Sequence, residues 1–361
     1  MIEDGKWTPP AERRKAEELA SITLGEYSES WLASRTRRGL PLKARTVEHY
    51  THLLGSWLKP LAKRPMAAIT RAEVDAWYHA PDLARYPTTR QHAYALGRAI
   101  MRSAIRAGHA TANPFDVEGA TAKCEVRAVD VLTVEEVTLL ADAMPPRHRV
   151  LVLLAAWCGL RFGELAGLTR EDVTEDKNGL VRIHVRRAVV TVGSRRLSDT
   201  PKSRRGYRTV IVPPPIAADV LNHRRVYAQR GHAGLIFPPT NPATDYLTAK
   251  QVKGTPPGYV PPRKGRRKPG PRTGSGFYLA RAVIGHPNLR FHDLRHFAGT
   301  SYAIAGATAR ELMDFMGHAD LKTTQIYQHT AKGRAEILAG RMGDLARGGL
   351  GGDDQSRATD G

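Results

Sequence analysis

Threonine followed three residues later by glutamate recurs along this chain, a spacing that marks the starts of helices. The pairs are Thr23 with Glu26, Thr70 with Glu73, Thr133 with Glu136, and Thr308 with Glu311. In such a capping box the two side chains accept hydrogen bonds from backbone N–H groups that the first helical turn leaves unpaired. Starts spread over most of the chain predict a mainly helical protein, and they constrain the fold more than any other feature.

The segment 21–115 has the pattern of a small all-helical domain. Apolar residues recur at three- and four-residue steps across 47–61, which gives one apolar helical face. A last helix is expected across about 89–108, and Asn113-Pro114 then closes the segment. We expect four helices here and no strand.

A second domain, 131–345, is expected to combine helices with a small antiparallel sheet. The range 180–192 is rich in β-branched residues, and 208–212 (RTVIV) predicts another short strand. The polar stretch LSDTPKSRRG between them predicts a turn. Helices are expected from Thr133, through the apolar run 150–157, and again from about Phe291, Thr308 and Leu321 and across 334–345, with a capped turn at Thr169.

Four further segments lack the pattern of a core. The polar range 1–20 and the Gly-rich range 346–361 predict flexible or disordered tails, and 116–130 has no clear period and predicts an extended linker. Proline, glycine and basic residues dominate an insert, 238–276, from which no core is expected. Two readings of that insert stay open, a disordered excursion and a strap that orders on DNA.

The charge balance points to a polyanionic partner. Lys and Arg total 55 against 35 Asp and Glu, which gives a net charge of +20 and an isoelectric point near 10.2. Nucleic acid is the usual partner of a protein with so high a positive charge, although a generally basic protein that does not bind nucleic acid would also fit. Basic side chains crowd around the predicted helix ends of the first domain: Arg35, Arg37, Arg38, Lys43, Arg45, Arg90, Arg98, Arg102 and Arg106.

Cysteine content and hydropathy indicate the cellular compartment in which the chain works. The two cysteines, Cys124 and Cys158, are far apart and lack metal-ligand spacing, which argues against a disulfide framework. Cys158 lies in an apolar run and is expected to be a buried thiol. The first residues form no apolar stretch of the signal-peptide kind, and no run approaches the length of a membrane span. The chain is therefore expected to work in the cytoplasm, away from membranes.

Three motifs carry the candidate chemistry: GLRFGEL at 159–165, FHDLRHFAGTSYA at 291–303, and MGHADLKTTQIYQH at 316–329. His292 and Arg295 are one helical turn apart and share a face. His292, Asp293 and His296 also imitate the H-E-x-x-H zinc motif. That motif needs glutamate at its second position and a third ligand, and Arg295 would repel a dication, so no metal is expected.

Together these motifs resemble the active site of the tyrosine recombinases, the phage integrase family, and the resemblance extends over about 21–345. The family's first signature, G-L-R-x-x-E-L, is matched in full. Its H-x-x-R box matches His292 and Arg295, its L-G-H is M-G-H here and ends at His318, and its T-x-x-Y-x-H matches TTQIYQH around Tyr327.

The resemblance implies both a fold and a set of roles. The fold would be an N-terminal four-helix core-binding (SAM-like) domain followed by an α+β catalytic domain. Tyr327 would be the nucleophile that forms a 3′-phosphotyrosyl link. The implied supporting roles are Arg161, Arg295 and His318 on the phosphate, Lys202 as the acid for the leaving 5′ oxygen, His292 in proton transfer, and Glu164 in orienting Arg161.

The resemblance also implies the partners. These are double-stranded DNA recombination sites, bound by a homotetramer on two duplexes with no cofactor, and an accessory DNA-bending or directionality factor is a further candidate. The arginines that we expect to contact DNA are Arg45, Arg90, Arg98, Arg204 and Arg205. Two rival functions stay open, a monomeric type IB topoisomerase and a non-catalytic DNA-binding protein on the same scaffold. The sequence does not distinguish a phage, a conjugative element, a transposon or chromosome-dimer resolution.

Overall fold

A computed structural model describes residues 21–37, 39–122, 132–200, 206–259, 273–318, 339–340 and 342–344. The chain divides into two compact units, Met1–Arg127 with Thr191–Arg195, and Ala128–Val190 with Arg196–Gly361. In the described part of the chain, no helix is long and apolar enough to cross a membrane.

The first unit is helical. Its α-helices are α1 Leu24–Ser34, α2 Ala44–His52, α3 Lys59–Ala62, α4 Arg71–Tyr78, α5 Pro81–Ala84 and α6 Pro87–Arg106. Within its described residues, four of these helices have eight residues or more. Capping boxes form at Thr23 and Thr70, as their spacing to glutamate predicts. Leu53, Ile100 and Phe115 lie in the core.

Two details of the first unit differ from the sequence-based expectations. The apolar face expected across 47–61 belongs to α2, a π-helical turn Leu53–Trp57, and α3, rather than to one helix. The Leu58 N–H donates to Leu53 O, and Pro60 lacks an N–H, so the α-helical ladder is interrupted here. A two-stranded hairpin, β1 Thr36–Arg37 and β2 Leu40–Pro41, was not predicted.

The second unit mixes helices with two small sheets. Its α-helices are α7 Val134–Asp142, α8 Pro146–Trp157, α9 Phe162–Ala166, α10 Pro214–Val226, α11 Ala249–Lys253, α12 Gly276–Val283, α13 Leu294–Ile304 and α14 Ala309–Met316. Its strands are β3 Val173–Glu175, β4 Val181–Val185, β5 Ala188–Val192, β6 Arg195–Asp199 and β7 Arg208–Ile211. The tip of the β5–β6 hairpin is grouped with the first unit.

Strands β3, β4 and β7 form one antiparallel sheet, and β5 and β6 form the other. Ile183 pairs with Val173 on one side and with Val210 on the other, and all three are buried. The β-branched range 180–192 was expected to be one strand but forms β4 and β5. The chain leaves the ladder at Arg187, whose guanidinium donates to Thr169, Glu171 and Asp172.

Helix α8 lies in the centre of this unit's core. Leu151, Val152 and Leu154 are fully buried on different sides of the helix, as the continuous apolar run 150–157 suggests. Cys158 follows and is fully buried, which confirms the expected buried thiol, and burial raises its pKa to about 12. Cys124 lies outside the described residues.

The expectation that the insert 238–276 contributes nothing to a core is wrong for two residues. Leu247 and Val252 are buried in the core of the second unit. Helix α11 begins with a capping box of Thr248 and Gln251, and the Thr255 N–H donates to Ser275 Oγ at 3.1 Å. The strongly basic range 260–272 lies outside the described residues, and so does the start of the helix expected from about Leu321. Of the helix expected across 334–345, residues 339–340 and 342–344 are described, and their backbone is helical.

Candidate active site

The structure brings together four of the predicted site residues, Arg161, Arg295, His318 and Glu164, with His292 beside them on the turn before α13. The predicted nucleophile Tyr327 and the predicted acid Lys202 lie outside the described residues, as do Arg204 and Arg205. The cluster therefore comprises the two arginines and the histidines of the predicted site with Glu164, and it is built from the ends of α8, α9, α13 and α14.

Arg161 and Glu164 are joined at the start of α9. The Arg161 backbone N–H donates to Glu164 Oε2 at 2.9 Å, and Arg161 Nη1 donates to Glu164 Oε1 at 2.8 Å. The Glu164 side chain is 4 % exposed, whereas that of Arg161 is 39 % exposed. The carboxylate thus orients an arginine that reaches the surface.

A residue that the sequence analysis did not select, Arg208, completes this pair. Its Nη1 and Nη2 donate to the two carboxylate oxygens of Glu164 at 3.1 and 2.9 Å, and its side chain is 5 % exposed. Burial alone would raise the pKa of Glu164, but the charges and hydrogen bonds of Arg208 and Arg161 outweigh it and lower that pKa to about 2. A signal existed, because strand alternation puts Arg208 on the same face as Val210 and Val212.

Arg295 is 2 % exposed and bridges two segments of backbone. Its Nη1 donates to Gly159 O and its Nη2 to Met316 O. Gly159 has a φ of +61°, and a Cβ there would lie 3.1 Å from Met316 Sδ and 3.4 Å from Ala298 Cβ. A left-handed conformation and close packing therefore both favour glycine in the G-L-R motif.

His318 follows the left-handed end of α14. Gly317 has a φ of 61° and a ψ of 42°, and the His318 N–H donates to Met313 O at 2.9 Å, as in a Schellman motif. His318 is 8 % exposed. Burial, followed by the charges of Arg295, Arg161 and Arg208, lowers its pKa to about 4, so its imidazole is neutral at physiological pH.

His292 lies on a 3₁₀ turn, Phe291–Asp293, that Asp293 caps by accepting from the Arg290 N–H at 2.8 Å. Phe291 beneath it packs edge-on against Phe162 and Phe277, with ring centroids 5.6 Å apart in each pair. His292 as a residue is exposed at the surface. Partial burial, then the charges of Arg295, His296 and Arg161, lower its pKa.

Within the described residues, the zinc-like spacing of His292 and His296 is not accompanied by a third side chain placed to bind a metal. The two rings meet edge to face with centroids 5.8 Å apart, and Asp293 is engaged as a helix cap. Among the residues that the structure describes, no group of three His, Cys, Asp or Glu side chains could hold a metal ion. The cluster is instead rich in arginine and neutral imidazole, which suits an anionic ligand.

The arginines predicted to contact DNA from the first unit have different surroundings. Arg45 is exposed and pairs with Glu48 on α2. Arg90 lies over the ring of Tyr78, with its Cζ 4.4 Å from the ring centroid. Arg98 is half-buried on α6.

The sequence pattern of the phage integrase family matches residues 239–334. The chain is 35% identical over 341 residues to a prophage phiRv2 integrase of Mycobacterium tuberculosis, an alignment that covers 94% of this chain and 82% of that protein. It is 34% identical over 349 residues to the integrase of Mycobacterium phage FRAT1, with 96% of this chain and 95% of that protein covered.

The fold has solved counterparts. The integrase of transposon Tn1549 in complex with circular intermediate DNA superposes with a TM-score of 0.64 at 18% identity, covering 85% of this chain and 95% of that one. The match confirms the predicted fold class, a mainly helical chain with small antiparallel sheets.

Proposed function

The chain belongs to the phage integrase family of tyrosine recombinases and is a site-specific recombinase of the integrase type, and from this premise we propose that it breaks and rejoins duplex DNA through a 3′-phosphotyrosyl link. The Tyr327 oxygen attacks the scissile phosphorus as its proton is removed. The bond from phosphorus to the 5′ oxygen breaks, and Lys202 gives that oxygen a proton. Attack by the 5′ hydroxyl of another strand on the phosphotyrosine reverses these steps, so no external energy source is needed.

Neutralisation of the phosphate falls to Arg161, Arg295 and His318. A phosphodiester repels nucleophiles with its own charge, and that charge grows on the non-bridging oxygens in the transition state. Arginine is suited to this role because its planar fork binds phosphate through two hydrogen bonds and keeps its charge at any working pH. A neutral imidazole at His318 adds an N–H donor without competing for protons.

Proton transfer is assigned to Lys202 and His292. The phenol of tyrosine ionises only near pH 10 in water, about three units above neutrality, so phenolate formation needs both nearby cations and a base. His292 is exposed and its lowered pKa keeps it in the neutral form, in which a ring nitrogen can accept a proton.

One observation carries the proposal from the structural side. Arg161, Arg295 and His318 come from three separate parts of the sequence, and both arginines donate to the turn that holds His318, at Gly317 O and Met316 O. The two arginines repel each other, so their convergence beside the neutral imidazole of His318 is expected where an anion binds.

The partner is proposed to be duplex DNA bearing a recombination site. Exchange between two duplexes cuts four strands. Because each protomer supplies a single Tyr327, four protomers are needed, which makes a homotetramer. An accessory protein that bends DNA or sets direction would act on this assembly. The relatives named above are a prophage and a phage integrase, so the element that this chain moves is proposed to be a phage or prophage.

Covalent attachment to DNA is the direct test. DNA spanning the two junctions that flank the native gene is incubated with the wild-type protein and with Tyr327→Phe, and a denaturing gel is examined for a protease-sensitive adduct. Wild type is expected to form the adduct, and Tyr327→Phe to bind the same DNA with unchanged affinity and form none. An adduct with Tyr327→Phe would remove this tyrosine from the mechanism.

A second outcome bears on the rival functions. If the wild type binds the junction DNA tightly and forms no adduct, the chain is a DNA-binding protein on this scaffold. If it relaxes supercoiled DNA of any sequence as a monomer, it is a topoisomerase.

A further inference from the structure

Three consecutive carbonyl oxygens at the end of α14 each accept a hydrogen bond from a different arginine. Phe315 O accepts from Arg208 Nε at 2.8 Å, Met316 O from Arg295, and Gly317 O from Arg161 Nη2 at 3.5 Å. The last carbonyls of a helix have no partner inside the helix and carry partial negative charge, so cations bind there favourably. The backbone immediately before His318 is thus fixed by three cations.

Arg208 differs from the other two in what else it holds. All three of its guanidinium nitrogens donate hydrogen bonds. Nη1 and Nη2 donate to the two carboxylate oxygens of Glu164, and Nε donates to Phe315 O. Glu164 in turn accepts hydrogen bonds from the backbone N–H and the guanidinium of Arg161. Arg208 therefore links the segment that carries Arg161 to the turn that carries His318.

We propose that Arg208 is a positioning residue of the recombination reaction, which sets the placement of Arg161 relative to His318 without touching the DNA. Its side chain is 5 % exposed and its donors are used within the protein, so a direct phosphate contact is not its role. The inference rests on the proposed function of the site and assigns a residue that the motifs of the sequence do not contain.

The geometry also predicts that lysine cannot take over the role of this arginine. A guanidinium offers donors in one plane, which here meet a carboxylate on one side and a carbonyl on the other. A lysine ammonium keeps the charge but cannot span both groups from one position. Misplacement of catalytic groups by about 1 Å can slow a reaction by about 100-fold, so Arg208→Lys is expected to slow cleavage by that order.

The experiment separates placement from binding. Adduct formation by the full chain on the junction DNA is followed in single turnover, and the dissociation constant for the same DNA is measured in parallel. Arg208→Lys is expected to form the adduct about 100-fold more slowly, with a dissociation constant within about twofold of wild type. Melting temperatures of all variants are measured alongside.

A control is provided by Arg149, a half-buried arginine of the second unit that bridges two carboxylates. Its Nε lies 2.7 Å from Asp142 Oδ1 and its Nη1 lies 2.8 Å from Asp219 Oδ2. Arg149→Lys perturbs a similar network away from the cluster and is expected to cleave at the wild-type rate. The double variant Glu164→Gln/Arg208→Met removes both buried charges together, so that neither is left unpaired, and is expected to cleave as slowly as Arg208→Lys or more slowly.

The outcomes distinguish a failure of the positioning role of Arg208 from a failure of the proposed recombinase function. If wild-type protein forms no adduct, the proposed function fails before Arg208 is tested. If wild type forms the adduct and Arg208→Lys matches its rate, the positioning role is overturned. It is also overturned if Arg208→Lys loses DNA affinity and melting temperature in proportion to its rate, because that pattern describes general destabilisation.

Discussion

At the scale of single residues, two buried histidines make the second unit sensitive to acid. His148 on α8 and His223 on α10 are both buried, and burial, with a smaller contribution from the charge of Arg147, lowers the pKa of each to about 4. For His223 this outweighs a hydrogen bond to Ile236 O, which alone would raise its pKa. In the unfolded chain both histidines have the ordinary pKa of 6.5, so the unfolded chain holds more protons than the folded chain between about pH 6.5 and about pH 4. The free energy of unfolding should have its full value above about pH 6.5. It should fall by about 3 kcal/mol per histidine as the pH drops to about 4.

Replacement of His148 tests this directly. In the described part of the chain neither ring nitrogen of His148 has a hydrogen-bond partner, so leucine removes the titration without breaking a bond. We expect His148→Leu to have a shallower loss of unfolding free energy between about pH 7 and about pH 4.5, measured by urea denaturation. Val152→Ala, buried in the same helix, should lower stability without changing that slope. An unchanged slope in His148→Leu would contradict the assignment.

Residue chemistry was also where the sequence was most informative about the site. The motifs selected Arg161, His292, Arg295 and His318, and the structure brings these residues together. Arg208 was missed because it belongs to no motif, and its importance comes from an ion pair with Glu164 that only the fold creates. The roles of Tyr327 and Lys202 stay predictions.

At the scale of elements, the contact between α9 and β5 depends on one glycine. A Cβ on Gly163 would lie 2.5 Å from Val189 O, closer than side chains and backbone can approach. We expect Gly163→Ala to displace α9, to lower the unfolding free energy by about 1–3 kcal/mol, and to slow adduct formation because Arg161 begins this helix. Chemical denaturation and the single-turnover assay measure the two effects.

Gly55 supplies the control, since a Cβ there meets nothing within 4 Å and the residue lies in a helical turn. Gly55→Ala should be neutral or stabilising by up to about 1 kcal/mol, because alanine restricts the unfolded chain and favours helix. Equal effects of the two substitutions would show that the α9–β5 contact tolerates a side chain.

Helices and strands were predictable where they depend only on residues close together in the sequence. The capping boxes at Thr133 and Thr308 form as their spacing predicts, because both partners are within one helical turn. Helix α12 was not predicted, since it begins at Gly276 directly after a proline- and glycine-rich range that favoured irregular structure. The division of 180–192 into β4 and β5 depends on contacts of Arg187 distant in sequence, which no local pattern contains.

At the scale of the whole molecule, the net charge of +20 predicts steeply salt-dependent DNA binding. Each phosphate that a basic side chain neutralises releases condensed counterions, so six to ten such contacts would lose about 10³- to 10⁵-fold in affinity between about 50 and about 200 mM salt. We expect Arg45→Ala to weaken binding uniformly across sequences and to reduce the slope of log affinity against log salt by about 1. Arg310→Ala removes another exposed helical arginine, paired with Asp314, that is not among the predicted contacts, and should leave the slope unchanged. Fluorescence anisotropy with labelled junction DNA over a salt series measures both, and a flat response of the wild type would exclude phosphate contacts as the main source of affinity.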